Sequence, residues 1–158
     1  MESLYGMPGH LIRRAHQVSS AIFAEECAGF DLTSVQYASL LAIAANPGVD
    51  ATRLSQLVAF DRSTLGDVLE RLVAKGWVVR DGSARDRRVK LLRLTRDGEG
   101  LLREVEPAIR RVQQRLLAPL APADRETMVT LLAQLADVHN EVTPAPLRPA
   151  PLRLVTQR

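Results

Sequence analysis

The chain has one cysteine in 158 residues, Cys27. A single thiol excludes an internal disulfide framework and any zinc site built from several cysteines. No apolar run approaches the length of a membrane span, so no membrane partner is expected. The start, Met1-Glu2-Ser3-Leu4-Tyr5, lacks the basic-then-apolar pattern of a secretory signal, and a cytoplasmic location is expected. Neither a glycine-rich phosphate loop nor a nucleophile–base constellation stands out, which argues against an enzyme. His10, His16 and His139 lack the local spacing of a metal-ligand pair, so no metal or other cofactor is expected. There is no internal repeat.

The chain does have the bulk of an ordinary globular domain, with 46% hydrophobic and 25% charged residues. The formal net charge is only +3, but its distribution is uneven. Between Arg80 and Arg96 seven cations (Arg80, Arg85, Arg87, Arg88, Lys90, Arg93, Arg96) face only Asp81 and Asp86. Such a cluster projects a positive field from one loop, and phosphate is the natural relief for its self-repulsion.

Helical spacing of apolar residues begins after Pro8 with Leu11, Ile12, Ala15, Val18, Ile22 and Phe23, and breaks at Gly29 to Asp31. Thr33 and Gln36 have the spacing of a capping box, opening a helix that ends at Asn46-Pro47-Gly48. Asp50 caps a short helix from Ala51 to Val58. Asp61 caps the next, from Arg62 to Lys75, whose inner face is Leu65, Val68, Leu69, Leu72 and Val73. Two short helices joined by Ala59-Phe60 form a helix-turn-helix. Trp77 to Arg80 and Val89 to Thr95 are rich in β-formers and read as a hairpin around the arginine loop. Thr95 caps a long helix in which Pro107 predicts a kink. Pro119 and Pro122 precede a last helix carrying Met128, Val129, Leu131, Leu132, Leu135 and Val138.

The expected fold is therefore mainly α with a small β-hairpin wing: a winged helix-turn-helix with an α-helical dimerisation region. Residues 31–95 form the reading head and 8–30 with 96–142 the dimerisation region. Residues 143–158, rich in proline with scattered arginines, form an extended or mobile tail. The flanking helices are more apolar than so small a head can cover, which implies a twofold homodimer.

Several fragments carry a family resemblance: Asp61-Arg62-Ser63-Thr64-Leu65, Leu72 to Arg80, Asp86-Arg87-Arg88 and Leu94 to Gly98. In this order and spacing they resemble the signature of the MarR family of bacterial transcription regulators over roughly Leu11 to His139. The resemblance implies a homodimeric winged-helix protein, usually a repressor that leaves a palindromic operator in double-stranded DNA when a small molecule or an oxidant arrives. Leu4 to Ala15 more particularly resembles the branch that controls catabolism of aromatic and heteroaromatic acids.

Residue by residue, the polar face of the fourth helix (Arg62, Ser63, Thr64, Gly66, Asp67, Arg71) is either a solvated surface or the part that enters a major groove. Gly66 favours the groove, since glycine costs about 1 kcal/mol against alanine inside a helix and needs a reason to be there. Ser63 and Thr64 carry groups that donate to or accept from phosphates and bases. For the wing, the resemblance assigns Asp86 to bracing the loop and Arg88 to the minor groove; Arg85 and Arg87 are phosphate contacts. His10, Arg13 and Arg14 form either a polar stripe or a clamp for the carboxylate of a small-molecule effector, with Tyr37 packing its ring. Cys27 is a small buried filler or, alternatively, the thiol of an oxidant-sensing repressor; Glu25 and Glu26 beside it disfavour a reactive thiolate.

Overall fold

The computed structural model describes residues 4–82 and 89–148. Six helices and a small sheet follow one another: α1 (Pro8–Glu26), α2 (Ser34–Ala45), β1 (Val49–Asp50), α3 (Ala51–Val58), α4 (Arg62–Ala74), β2 (Val78–Gly82), β3 (Lys90–Leu94), α5 (Arg96–Leu117) and α6 (Pro122–Val138). No described helix is long and apolar enough to cross a membrane.

Short-range chemistry sets most helix starts. Thr33 Oγ1 accepts from the Gln36 amide at 3.2 Å, and Gln36 Oε1 accepts from the Thr33 amide at 3.1 Å, closing the expected capping box. Asp50 accepts from the Arg53 amide at 2.8 Å, and Asp61 from the Thr64 amide at 2.9 Å. Thr95 accepts from the Gly98 amide at 3.1 Å. Each cap satisfies an amide that the first helical turn leaves without a partner. Pro122 occupies the first turn of α6, where its missing N–H costs nothing.

The sheet is antiparallel, with β3 in the centre and order β1-β3-β2. Val49 pairs with Leu92, Val78 with Leu94 and Gly82 with Lys90. The hairpin is displaced from the expected limits. Trp77 precedes the strand, because Gly76 at φ 72° makes a left-handed turn out of α4 that places the Trp77 amide on the Leu72 carbonyl at 3.0 Å. At the other side β3 begins at Lys90 and stops at Leu94, before the cap.

Leu40, Ile43, Leu54, Leu65, Leu72, Val78, Leu92 and Val105 are all but sealed from solvent, so one core joins α2, α3, α4, the sheet and the lower half of α5. Val73 does not belong to it; placed with the inner face of α4 by spacing, it is exposed. It falls at the edge of the apolar arc. The long helices are otherwise. On α1 only Phe23 is buried, and α6 buries no residue. A single helix runs through Pro107 in α5.

The segment after α6 departs from expectation. Residues 143–148 are not free: Asn140 Oδ1 accepts from the Leu147 amide at 2.7 Å, and the Arg148 amide donates to the Gln56 carbonyl at 2.7 Å. The chain therefore folds back onto α3. Proline content argued for an extended tail, but proline removes donors rather than contacts, and the flanking amides of Leu147 and Arg148 supply the bonds. Residues 149–158 lie outside the described residues.

Candidate nucleic-acid interface

The turn from Ala59 to Asp61 aims α4. Ala59 takes the left-handed conformation at φ 53°, ending α3, and Asp61 then caps α4. The Thr64 hydroxyl donates to Asp61 Oδ2 at 2.6 Å, and together with the Thr64 amide it holds the Asp61 carboxyl below its ordinary pKa. Thr64 thus spends its proton inside the cap and presents only acceptor lone pairs outward, whereas Ser63 keeps its hydroxyl free for either role.

Arg62, Ser63, Thr64, Asp67 and Arg71 are exposed on α4, and Gly66 is half-buried between them. A methyl group built at Gly66 meets nothing within 4 Å. Packing inside the chain therefore does not require the glycine. Gly66 opens onto a cleft of about 530 Å³ whose other wall holds Arg80 and Lys90 from the hairpin. Of the described wing cations, Arg93 is partly tied up, with its Nε 3.6 Å from Asp81 Oδ2. Arg80, Lys90 and Arg96 form ion pairs with no described residue and keep their charge for the surface. Arg85, Asp86, Arg87 and Arg88 lie outside the described residues; the pairing of Gly82 with Lys90 marks where the chain enters and leaves that loop.

The four effector candidates do not converge within one chain. Arg13 Nη2 lies 3.4 Å from His10 Nδ1, the Tyr5 ring stands edge-on to His10 at 5.6 Å, and Arg14 is exposed nearby. Tyr37 instead packs on Phe23, ring centroids 6.3 Å apart. Phe23 is 13 residues farther along α1 than His10, or about 20 Å at 1.5 Å per residue. The spacing that unites His10 with Arg14 says nothing about which turn of α1 receives α2, and that register separates Tyr37 from the cations. Burial first, then the Glu106 carboxylate, pushes the Tyr37 hydroxyl above its ordinary pKa.

Cys27 is buried at 2% exposure, and burial raises its thiol pKa, with Glu26 adding to the shift. A buried, protonated thiol is a poor target for oxidants, which favours the filler reading. Sequence reasoning missed the structure beside it. Glu26 receives Arg111 Nε at 2.7 Å and Arg115 Nη1 at 2.8 Å, while Arg115 Nη2 reaches Glu25 at 2.8 Å. These bonds tie the end of α1 to α5 across 85 to 90 residues of sequence, beyond any local signal.

A sequence model of the MarR family matches residues 30–89, which covers α2, α3, α4 and β2 and stops where β3 begins. The transcriptional repressor NicR of Pseudomonas putida is 31% identical over 112 residues, 71% of either chain. BpsR of Bordetella bronchiseptica, whose DNA binding is regulated by 6-hydroxynicotinic acid, superposes with a TM-score of 0.82 at 31% identity, over 87% of this chain and 98% of that one. The transcriptional repressor CouR, solved on a 23-mer DNA duplex, gives 0.80 at 29% identity, over 86% and 96%. On this identity and coverage, and with a mainly helical fold around a small three-stranded antiparallel sheet, the chain belongs to the MarR family of winged helix-turn-helix transcriptional regulators, which are not enzymes.

Proposed function

We propose that this chain is a homodimeric repressor that holds a palindromic operator through α4 and the wing and releases it when a small aromatic or heteroaromatic acid binds. The observation that carries the DNA reading is Gly66: a helix-interior glycine with no described neighbour to clear, on the exposed polar face of α4 and facing Arg80 and Lys90, which pair with no described residue. Its smallness is explained by a partner that approaches the helix backbone from outside. On this reading Thr64 and Asp67 accept from base edges in the major groove, Ser63 and Arg71 meet base edges and phosphates, and Arg62 meets phosphate. Arg85, Arg87 and Arg88 extend the contact to the backbone and minor groove, braced by Asp86.

Residues 31–95 act as the head, and α1, α5 and α6 as the dimerisation region. The exposed Leu11, Ile12 and Val18 on α1 and Val129, Leu131, Leu132 and Leu135 on α6 supply apolar surface for a second copy. Two heads related by the twofold then meet successive major grooves about 34 Å apart.

For the effector, the likeness to BpsR and its 6-hydroxynicotinic acid supports a carboxylate bound by His10, Arg13 and Arg14. Tyr37 enters the same pocket only if the second copy crosses α1 in the opposite sense, bringing the two ends together. Tenfold release of DNA needs about 1.4 kcal/mol of differential binding. The test is a titration of 6-hydroxynicotinate, hydroxybenzoates and hydroxycinnamates into the complex with a duplex that the protein selects from a random pool. Release from the parent and not from Arg14→Ala is the expected result. Equal release from both removes the clamp, and release by none removes the acid.

A further inference from the structure

The segment that follows α6 is built as a clasp. The Asn140 side chain accepts from the Leu147 amide at 2.7 Å and donates to the Leu147 carbonyl at 3.1 Å, so one amide side chain closes the loop as a strand partner would. Arg148 Nη2 donates to Glu141 Oε2 at 2.8 Å across the same loop, and its amide docks on the Gln56 carbonyl of α3. The closed loop lies against the start of α4. It shares the walls of one cleft with Phe60, Asp61 and Thr64, and of a second with Gln56, Asp61 and Arg62.

What the loop presents there is unsuited to nucleic acid. Pro144 and Pro146 have no amide hydrogen, Ala145 and Leu147 are apolar, and the Arg148 guanidinium is neutralised by Glu141. It brings phosphate no cation that is not already paired, yet it stands beside Arg62 and Thr64.

We propose that residues 140–148 form an autoinhibitory strap, seated on the α3–α4 turn where duplex DNA must approach the first turn of α4, and lifted when the duplex binds. The inference rests on the reading of α4 as the DNA surface. Strap and duplex then compete for one turn of helix, and the affinity measured for DNA is scaled by the fraction of molecules with the strap raised. A strap seated about nine-tenths of the time weakens binding about tenfold.

Two full-length variants test this, Asn140→Ala, which opens the clasp, and Leu147→Glu, which charges its apolar side. Binding is measured to a duplex selected by the parent from a random pool and to an unselected duplex of equal length. Both variants should bind the selected duplex about three- to tenfold more tightly than the parent. In the parent, hydrogen exchange at the Leu147 and Arg148 amides should be about tenfold slower without DNA than with it. Unchanged or weaker binding by both variants, or amides that stay protected in the complex, overturns the strap while leaving the DNA reading intact. A parent that selects no duplex overturns the DNA reading and the strap with it.

Discussion

The α-carbon of Gly98 sits so close to Trp77 that a methyl group built on it would lie 2.2 Å from the Trp77 carbonyl oxygen. The contact joins the first turn of α5 to the start of β2, and Thr95 reinforces it. The Thr95 hydroxyl donates to the Gly76 carbonyl at 2.6 Å while its oxygen accepts from the Gly98 amide. Gly98→Ala, benign in most helices, must here push backbone against backbone. It should lower stability by about 1–3 kcal/mol, the usual cost of overpacking, read as a lower urea midpoint with an unchanged slope.

Gly66→Ala should do the reverse to the fold. With open space around it, the added methyl improves helix propensity and should stabilise the chain by about 0.5–1 kcal/mol. The same methyl stands on the surface assigned to DNA, so operator affinity should fall. Thermal unfolding and a binding isotherm on one preparation check both halves. A variant that is more stable and binds DNA as tightly as the parent would take Gly66 out of the interface.

Acid should loosen the joint between α1 and α5. Arg111 first, then Arg115, hold the Glu26 carboxyl below its ordinary pKa of 4.5. A depressed folded-state pKa means that the pair's contribution is present above that ordinary value and is lost as pH falls through the lowered one. Unfolding midpoints measured from about pH 6 to pH 3 should therefore decline less steeply in Glu26→Gln than in the parent. Parallel curves would show that the pairs are too well solvated to matter.

The apolar outer face of α6 makes a claim about assembly. Sedimentation at micromolar protein should give about 35 kDa, twice the 17.4 kDa chain. Leu131→Asp combined with Leu135→Asp should shift it toward the monomer while circular dichroism keeps the helical signal of the head. A parent that sediments as a monomer would end the twofold model of operator binding.

How far the sequence could be read depended on the range of the interaction. Thr33, Asp50, Asp61 and Thr95 were legible as caps because each bonds an amide three residues away. The inner faces of α3 and α4 follow the helical period for the same reason. β1 is two residues long, too short for any period, and exists because Leu91 and Leu92 offer it an edge. Tyr37 was grouped with His10 by chemistry, but the register between α1 and α2 is a tertiary choice made by packing around Phe23. The Glu26 pairs and the fold-back of Leu147 and Arg148 join parts of the chain whose local sequences contain no trace of each other.

α5 is a strut with both ends gripped. Its 22 residues span about 33 Å at 1.5 Å per residue. At the lower end Gly98 is wedged against the wing's base without slack, and at the upper end Arg111 and Arg115 hold α1. Between the grips Pro107 deprives Arg103 of its helical donor, leaving one softer joint in the shaft. Pivoting about its first turn, a tilt of about 10° moves the far end about 6 Å, so displacements at α1 arrive at the wing scaled down and in a fixed direction. Tilted about its gripped first turn, such a helix is a reducing lever: coarse motion at the α1 end would become fine motion at the hairpin.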